Sequence, residues 1–290
     1  MPFTARLDAA LALPVGARLG PLCALGRELL AASPDAAPPA TRAGLVDGLV
    51  HLLVNCIGSA RERLELGEVL GLLGDPRLRS PADDDYWATV TLEDGSRLQV
   101  GRFPVTTAEF TGWIAAGGYD AAASWSAGGQ AWRASGAPPW AALAQDPQAA
   151  VLTVPNQPVA GPTWWEAEAY ARAHGARLPS RDERLDIVRG QEKRPYPWGS
   201  PFGDGNANTR EEGLNRPCAV GLYRFDRTPE GICDLAGNMA EWLADEAGDR
   251  RMLHPGSWAR PSMAAWSKAI ELAPAGERSA DASFRLVRAV

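Results

Sequence analysis

The segment Gly231-Ile-Cys-Asp-Leu-Ala-Gly-Asn-Met-Ala-Glu-Trp242 constrains this chain most, because it fits neither a helix nor a strand period. Asp234, Asn238 and Glu241 supply oxygens within it. Gly237 frees the backbone to turn so that carbonyls can face one point. Carboxylates combined with inward carbonyls suit a hard cation such as calcium. A polar turn closed by its own Asx side chains accounts for the same residues without an ion. On this segment alone both readings stay open.

Composition narrows the setting. With 290 residues, 46% of them hydrophobic, the chain can bury a full core as one large domain or two small ones. Its net charge is −6 and it has no basic block, which argues against nucleic acid as a partner. No apolar run approaches the length of a membrane span. The short apolar stretch Ala9–Leu13 is preceded by Asp8 and interrupted by Pro14, a poor signal peptide. Cys23, Cys56, Cys218 and Cys233 lack a paired spacing and read as buried thiols, so a cytoplasmic location is expected. His51, His174 and His254 stand at no metal-ligand spacing, which argues against zinc or non-haem iron held by histidine. Eleven tryptophans suggest a loop-rich fold in which large aromatics serve as core material.

Residues 1–80 differ in texture from the rest. Leu45, Leu49, Leu52, Leu53 and Cys56 share one helical face, and Leu66, Val69, Leu70 and Leu73 repeat the pattern. Gly74-Asp-Pro76 stops that helix. Ser33–Pro39 reads as a loop between a helix near 18–32 and another beginning near 41. From Tyr86 onward short strands, glycines and prolines dominate. Asp94-Gly95 between Trp87–Leu92 and Arg97–Val100 predicts a hairpin. Thr106–Ala116 and Thr163–Ala173 read as helices, and 117–155 as a long ordered loop with three tryptophans. The fold class is α+β, with a helical module at 1–80 and a second domain at 86–290.

Further motifs follow in order. Gly101-Arg-Phe-Pro-Val-Thr-Thr-Ala-Glu-Phe110 and Pro155-Asn-Gln-Pro-Val-Ala-Gly-Pro-Thr-Trp164 precede Arg177-Leu-Pro-Ser180, which opens a charged helical run. Tyr196-Pro-Trp-Gly199, Ala207-Asn-Thr209, the Gly-Asn-Met-Ala-Glu-Trp motif, Pro255-Gly-Ser-Trp258 and Ser283-Phe-Arg-Leu286 complete the set. Together they resemble the formylglycine-generating-enzyme (sulfatase-modifying factor) family. The resemblance implies a loop-rich, C-type-lectin-like domain, and similar N-terminal helices ending in Leu-Gly-Asp-Pro-Arg precede such domains in bacterial members. It also implies a structural calcium held by Asp234 and Glu241 with the carbonyls of Gly237 and Met239, and a second cation at Asn208 and the Thr209 carbonyl.

The oxidase members use two cysteines, five residues apart, to bind copper. Here Arg260 and Ala265 stand at those positions, and neither can replace a thiolate. The iron-dependent sulfoxide synthases need a histidine-rich helical domain, whereas these helices carry only His51. Neither copper nor iron is therefore expected. Ser257 near His254 lacks an obvious acid for a triad, and Asp182-Glu183 and Asp245-Glu246 read as solvated faces. His254-Pro255, Ser283 and Arg184 depart from the family pattern, the last standing where a core Trp is usual.

The expected function is a non-catalytic ligand- or protein-binding module, a component or recognition subunit of a bacterial multiprotein system, with a protein as the favoured partner. Arg260, Met263, Trp266 and Lys268 would form its binding face, with Trp125, Trp132 and Trp140 as neighbours and Trp242 and Trp258 as core anchors. The alternatives are a divergent oxygen- or thiol-dependent modifying enzyme using Cys218 or Cys233, and a retroelement-diversified variable binding protein.

Overall fold

A computed structural model describes residues 1–33, 35–144 and 147–290. Four helices open the chain: α1 (Phe3–Leu11), α2 (Leu19–Ala31), α3 (Pro39–Val54) and α4 (Ala60–Leu73). Leu22 and Leu29 of α2, Leu45, Leu49 and Leu52 of α3, and Leu66 and Leu70 of α4 are all buried against one another. Their three- and four-residue spacing puts them on the inward stripes. Ser59 and Glu62 close a reciprocal cap at the start of α4. Gly74 ends it at φ +100°, a conformation that costs glycine little. The helix α1 is absent from the sequence reading because its inward face holds only Leu7 and Ala10 as fully buried residues.

The core of the helical module is shared with the following domain. Leu214, Cys218, Ala219, Leu222 and Tyr223 from the following domain complete it. Gly67 on α4 allows this approach, since a Cβ there would lie 2.8 Å from the Ala219 side chain. Asn156 reinforces the contact by donating to the Gly67 carbonyl (3.0 Å) and to Asp75 (2.9 Å).

Two small sheets form the rest of the framework. The strands β1 (Trp87–Thr91) and β2 (Arg97–Gly101) make the Asp94-Gly95 hairpin, with Gly95 at φ +84°. The second edge of β2 pairs antiparallel with β7 (Val287–Ala289). The other sheet runs in the order β5 (Glu271–Pro274), β4 (Arg250–His254), β3 (Ala240–Ala247), β6 (Ala282–Phe284). In it β3 and β6 are parallel and the remaining pairs antiparallel. The helices α5 (Thr107–Ala115), α8 (Trp164–Ala173) and α9 (Arg181–Arg189) each begin with a capping box. The boxes are Thr106/Glu109, Thr163/Glu166 and Ser180/Glu183.

Residues 117–155 correct the expectation of a loop. They contain α6 (Ala127–Ala134) and α7 (Trp140–Ala144), with short 3-10 turns at Ala122–Ser124 and Pro147–Leu152. These helices are too short and too rich in Ala and Gly to leave a periodic apolar stripe. Trp125 and Trp140 lie in the aromatic core with Phe110, Trp113, Tyr170 and Phe284. Several buried indoles have acceptors, which removes the cost of hiding their N–H groups, although Trp113 Nε1 has none. Trp140 donates to Ala160 (2.7 Å), Trp164 to Leu243 (2.7 Å) and Trp242 to Pro162 (3.0 Å). The architecture is α+β, and among the described residues no helix is long and apolar enough to cross a membrane.

Because the helices and the loop around Leu222 share one core, the whole chain should unfold in a single transition. Leu222→Ala should lower stability by about 2–5 kcal/mol and should shift helical and tryptophan signals together in a urea titration. Two separate transitions would show that the module folds on its own.

Candidate functional site

Glu241, at the start of β3, is fully buried between two guanidinium groups. Arg184 of α9 donates through Nε at 3.1 Å to Oε2, and Arg285 through Nε at 3.0 Å to Oε1. Arg184 also donates to the Leu235 carbonyl at 2.5 Å. Arg285 reaches the carbonyls of Gly101 (2.8 Å) and Cys233 (2.7 Å). Burial pulls the Arg184 guanidinium below its ordinary range, while Glu241 acts in the opposite direction.

The Asp234–Gly237 turn closes on Asp226, which the sequence reading does not single out. Its carboxylate accepts the backbone N–H groups of Leu235, Ala236 and Gly237 at 2.9–3.1 Å. Burial pushes Asp226 up to about 6 against the pull of those donors. Asp234 and Asn238 hold positive φ angles of 57° and 69°. Asp234 Oδ2 accepts from Gly221 N at 2.8 Å, whereas Oδ1 is buried without a partner. Burial first, and then the Asp226 charge, push Asp234 up to about 7. The Asn238 amide links this turn to Cys218 and to Asn208. Gly237 lies so close to Asn208 that a Cβ would stand 2.7 Å from the Asn208 carbonyl.

The residues expected to hold calcium therefore fall into two groups. Both Glu241 oxygens are taken by guanidinium groups, and the Gly237 carbonyl accepts from Met239 N at 2.9 Å. Asp234 Oδ1, Asn208 Oδ1 and Thr209 Oγ1 are buried with no hydrogen-bond partner, the kind of oxygen a hard cation takes. Among the described residues no three His, Cys, Asp or Glu side chains gather in a metal-holding group.

The residues do not fit a copper thiolate centre. Arg260 is paired with Glu271 (3.1 Å) and Asp281 (3.3 Å), and Ala265 is buried beside Ala207 and Ala236. Nor do the histidines fit an iron site: His51 lies on α3, His174 at the end of α8 and His254 on β4. Cys218 and Cys233 are buried thiols, the first held well above its ordinary range and the second raised to about 12, both through burial. Ser257 does have an acid, donating to Asp281 at 2.8 Å. His254 instead faces the Trp266 carbonyl at 3.0 Å and accepts from Gly256, and burial keeps it neutral. No triad forms.

The expected binding face is only partly as the sequence suggested. Met263 is 77% and Trp266 46% exposed, and Lys268 is exposed with its ammonium 5.8 Å from the Trp266 ring centre. Arg260 is half-buried and ion-paired. Trp258 is also half-buried, a correction to its role as core anchor, because its side of the Gly-Ser turn is only partly covered. Trp125 and Trp140 are core, whereas Trp132 reaches the end of this segment, with Arg278 over its ring at 5.9 Å. Sequence reasoning also misses Glu166, which is fully buried and receives Arg278 through two bonds of 2.6 and 2.7 Å. Its position in a Thr-x-x-Glu box is the one available signal.

Residues 74–290 match the family described as Sulfatase-modifying factor enzyme 1-like domain. The match begins inside the segment read as the helical module. Hercynine oxygenase from Mycolicibacterium smegmatis is 30% identical over 244 residues, covering 69% of this chain and 56% of the oxygenase. Inactive C-alpha-formylglycine-generating enzyme 2 of Bos taurus is 31% identical over 116 residues, 35% of this chain and 38% of that protein. Treponema denticola variable protein 1 superposes with a TM-score of 0.49 at 14% identity, covering 70% of this chain and 95% of that one. The chain spans about half the length of the curated hercynine oxygenases that it matches.

The raised carboxyl of Asp234 has a consequence for pH. Its folded value, about 7, exceeds its ordinary value of 3.8. The folded state thus holds its proton more tightly, and this stabilisation is complete below pH 3.8 and lost as pH rises through about 7. Asp234→Asn is neutral throughout and keeps an acceptor for Gly221. The variant should melt above the parent at pH 8, by on the order of a few kcal/mol, with the difference shrinking towards pH 4. Parallel melting curves across this range would show that Asp234 is ionised at no cost.

Proposed function

The chain belongs to the sulfatase-modifying factor enzyme 1-like domain family, and on that premise we propose that it is a non-catalytic module that binds a protein partner. The carrying observation is one segment in which the two positions expected for catalytic thiols are Arg260, ion-paired, and Ala265, buried. Between and beside them Met263, Trp266 and Lys268 project into solvent. An exposed methionine and tryptophan beside a cation, on a scaffold fixed by β4 and β5, have the character of a binding hot spot. The inactive formylglycine-generating enzyme 2 of Bos taurus is, by its name, a family member without the activity. The four free thiols fit a reducing, cytoplasmic setting.

A second reading, an enzyme related in action to the hercynine oxygenases, is supported by the 244-residue match. The separate placement of His51, His174 and His254 speaks against it. Calcium remains part of the proposal in a narrowed form, with Asp234 and Asn208 supplying the oxygens that lack partners. Calcium should raise the melting temperature of the parent and not of Asp234→Asn, and equal melting in calcium and in chelator removes this site.

Trp266→Ala and Met263→Ala should leave the melting curve nearly unchanged, since surface changes usually stay within about 0.5 kcal/mol. Each should weaken capture of a partner from host extract by about 2 kcal/mol if it is a hot spot. No cysteine-containing peptide should be oxidised by the copper-loaded protein. Oxidation of such a peptide, or a partner retained equally by both variants, sinks the proposal.

A further inference from the structure

Where the helical module meets the larger domain, a cleft of about 410 Å³ opens beside the end of α3. Arg77, Arg79, Arg102, Arg224 and Arg227 line it, with Asp85 as the one lining carboxylate. This is unexpected in a chain whose net charge is −6. Two of the arginines are neutralised, Arg77 by Asp75 (2.6 Å) and Arg79 by Asp85 (2.5 Å). Among the described residues Arg102, Arg224 and Arg227 have no carboxylate partner.

Two of these three converge. Gly231 sits at φ +86°, and a Cβ built on it would stand 2.8 Å from Arg102 Nη1 and 3.2 Å from Arg227 Nη2. The two nitrogens therefore lie within about 6 Å of each other, a separation at which like charges repel. The Arg102 guanidinium is held in place by the carbonyls of Asp85 and Glu230, each at 3.0 Å. Its backbone carbonyl accepts from Cys233 N, which ties the two walls together. Phe103, half-buried, gives the same cleft an aromatic side. A planar guanidinium pair matches the oxygens of a phosphate or carboxylate, and the volume lies in the range of small-molecule sites.

We propose that this cleft binds a small organic anion, with its phosphate or carboxylate group bridging Arg102 and Arg227 and its body against Phe103. An anion at that point relieves the repulsion between the two guanidinium groups and supplies the counter-charge that the fold does not. Cys233 borders the cleft but is buried, so the site is one of recognition rather than thiol chemistry. The site is remote in sequence from the Arg260–Lys268 face and does not depend on its role.

Calorimetric titration of the full chain with phenyl phosphate and with phthalate, at fixed ionic strength, tests the site. Saturable binding of phenyl phosphate identifies the phosphate class, and saturable binding of phthalate identifies the carboxylate class. Arg227 is exposed, so Arg227→Gln should fold normally and weaken the bound class at least tenfold. Arg250→Gln, an exposed change on β4, should bind as the parent does. No saturation with either probe up to about 10 mM, or equal affinity in Arg227→Gln, overturns the proposal.

Discussion

The ion triad of Glu241 with Arg184 and Arg285 is the constraint on which the larger domain depends. It joins the start of β3, the middle of α9 and the turn between β6 and β7. Through Arg285 it also holds the end of β2 and the Cys233 carbonyl. All three charges are buried, so desolvation opposes the triad, and mutual attraction with several hydrogen bonds must offset it. Removing one member of such a group costs about 3–5 kcal/mol because the others are left buried and uncompensated. The triad therefore acts less as a source of net stability than as a lock on register. Alternative placements of these segments would strand a charge.

A second, weaker lock joins the helices to that domain. Asn156 spans the Gly67 carbonyl and Asp75, and Asp75 in turn holds Arg77 through two oxygens. Glycine at position 67 brings α4 close enough for these bonds to form. Hydrogen bonds to charged groups contribute more than neutral ones when water is excluded. The arrangement explains why a chain segment read as a separate module shares a core with residues 214–223.

Local chemistry was the part of the fold most legible in the sequence. Thr106/Glu109, Thr163/Glu166 and Ser180/Glu183 mark helix starts, and Asp94-Gly95 marks a hairpin, because each works within a few residues. The short α6 and α7 carry no comparable stripe and escape notice. Trp258 shows a different limit: an indole signals apolar area, but its sequence position does not say how much of that area is covered. Of the candidate site, the spacing places Met263, Trp266 and Lys268 on one segment. The partners of Glu241 were illegible, since Arg184 and Arg285 lie 57 and 44 residues away. A carboxylate in an irregular motif announces a need for positive charge without saying what supplies it.

That ambiguity separates the two kinds of arginine in this molecule. Arg184, Arg285 and Arg278 are buried or nearly so, and each ends on a fully buried carboxylate, Glu241 or Glu166. Arg102 and Arg227 also converge but end on no carboxylate among the described residues. Burying a charge is costly unless it is paired, which is why the first group has its counter-ions built into the chain. The second group stays at a cleft wall where water can partly solvate it, and so persists without one. Internal compensation marks an arginine as structural, while convergence without compensation leaves a charge free to be met from outside. By that criterion the Asp234–Glu241 region is chiefly a nucleus of the fold, and the arginine cleft is where the chain is electrostatically incomplete.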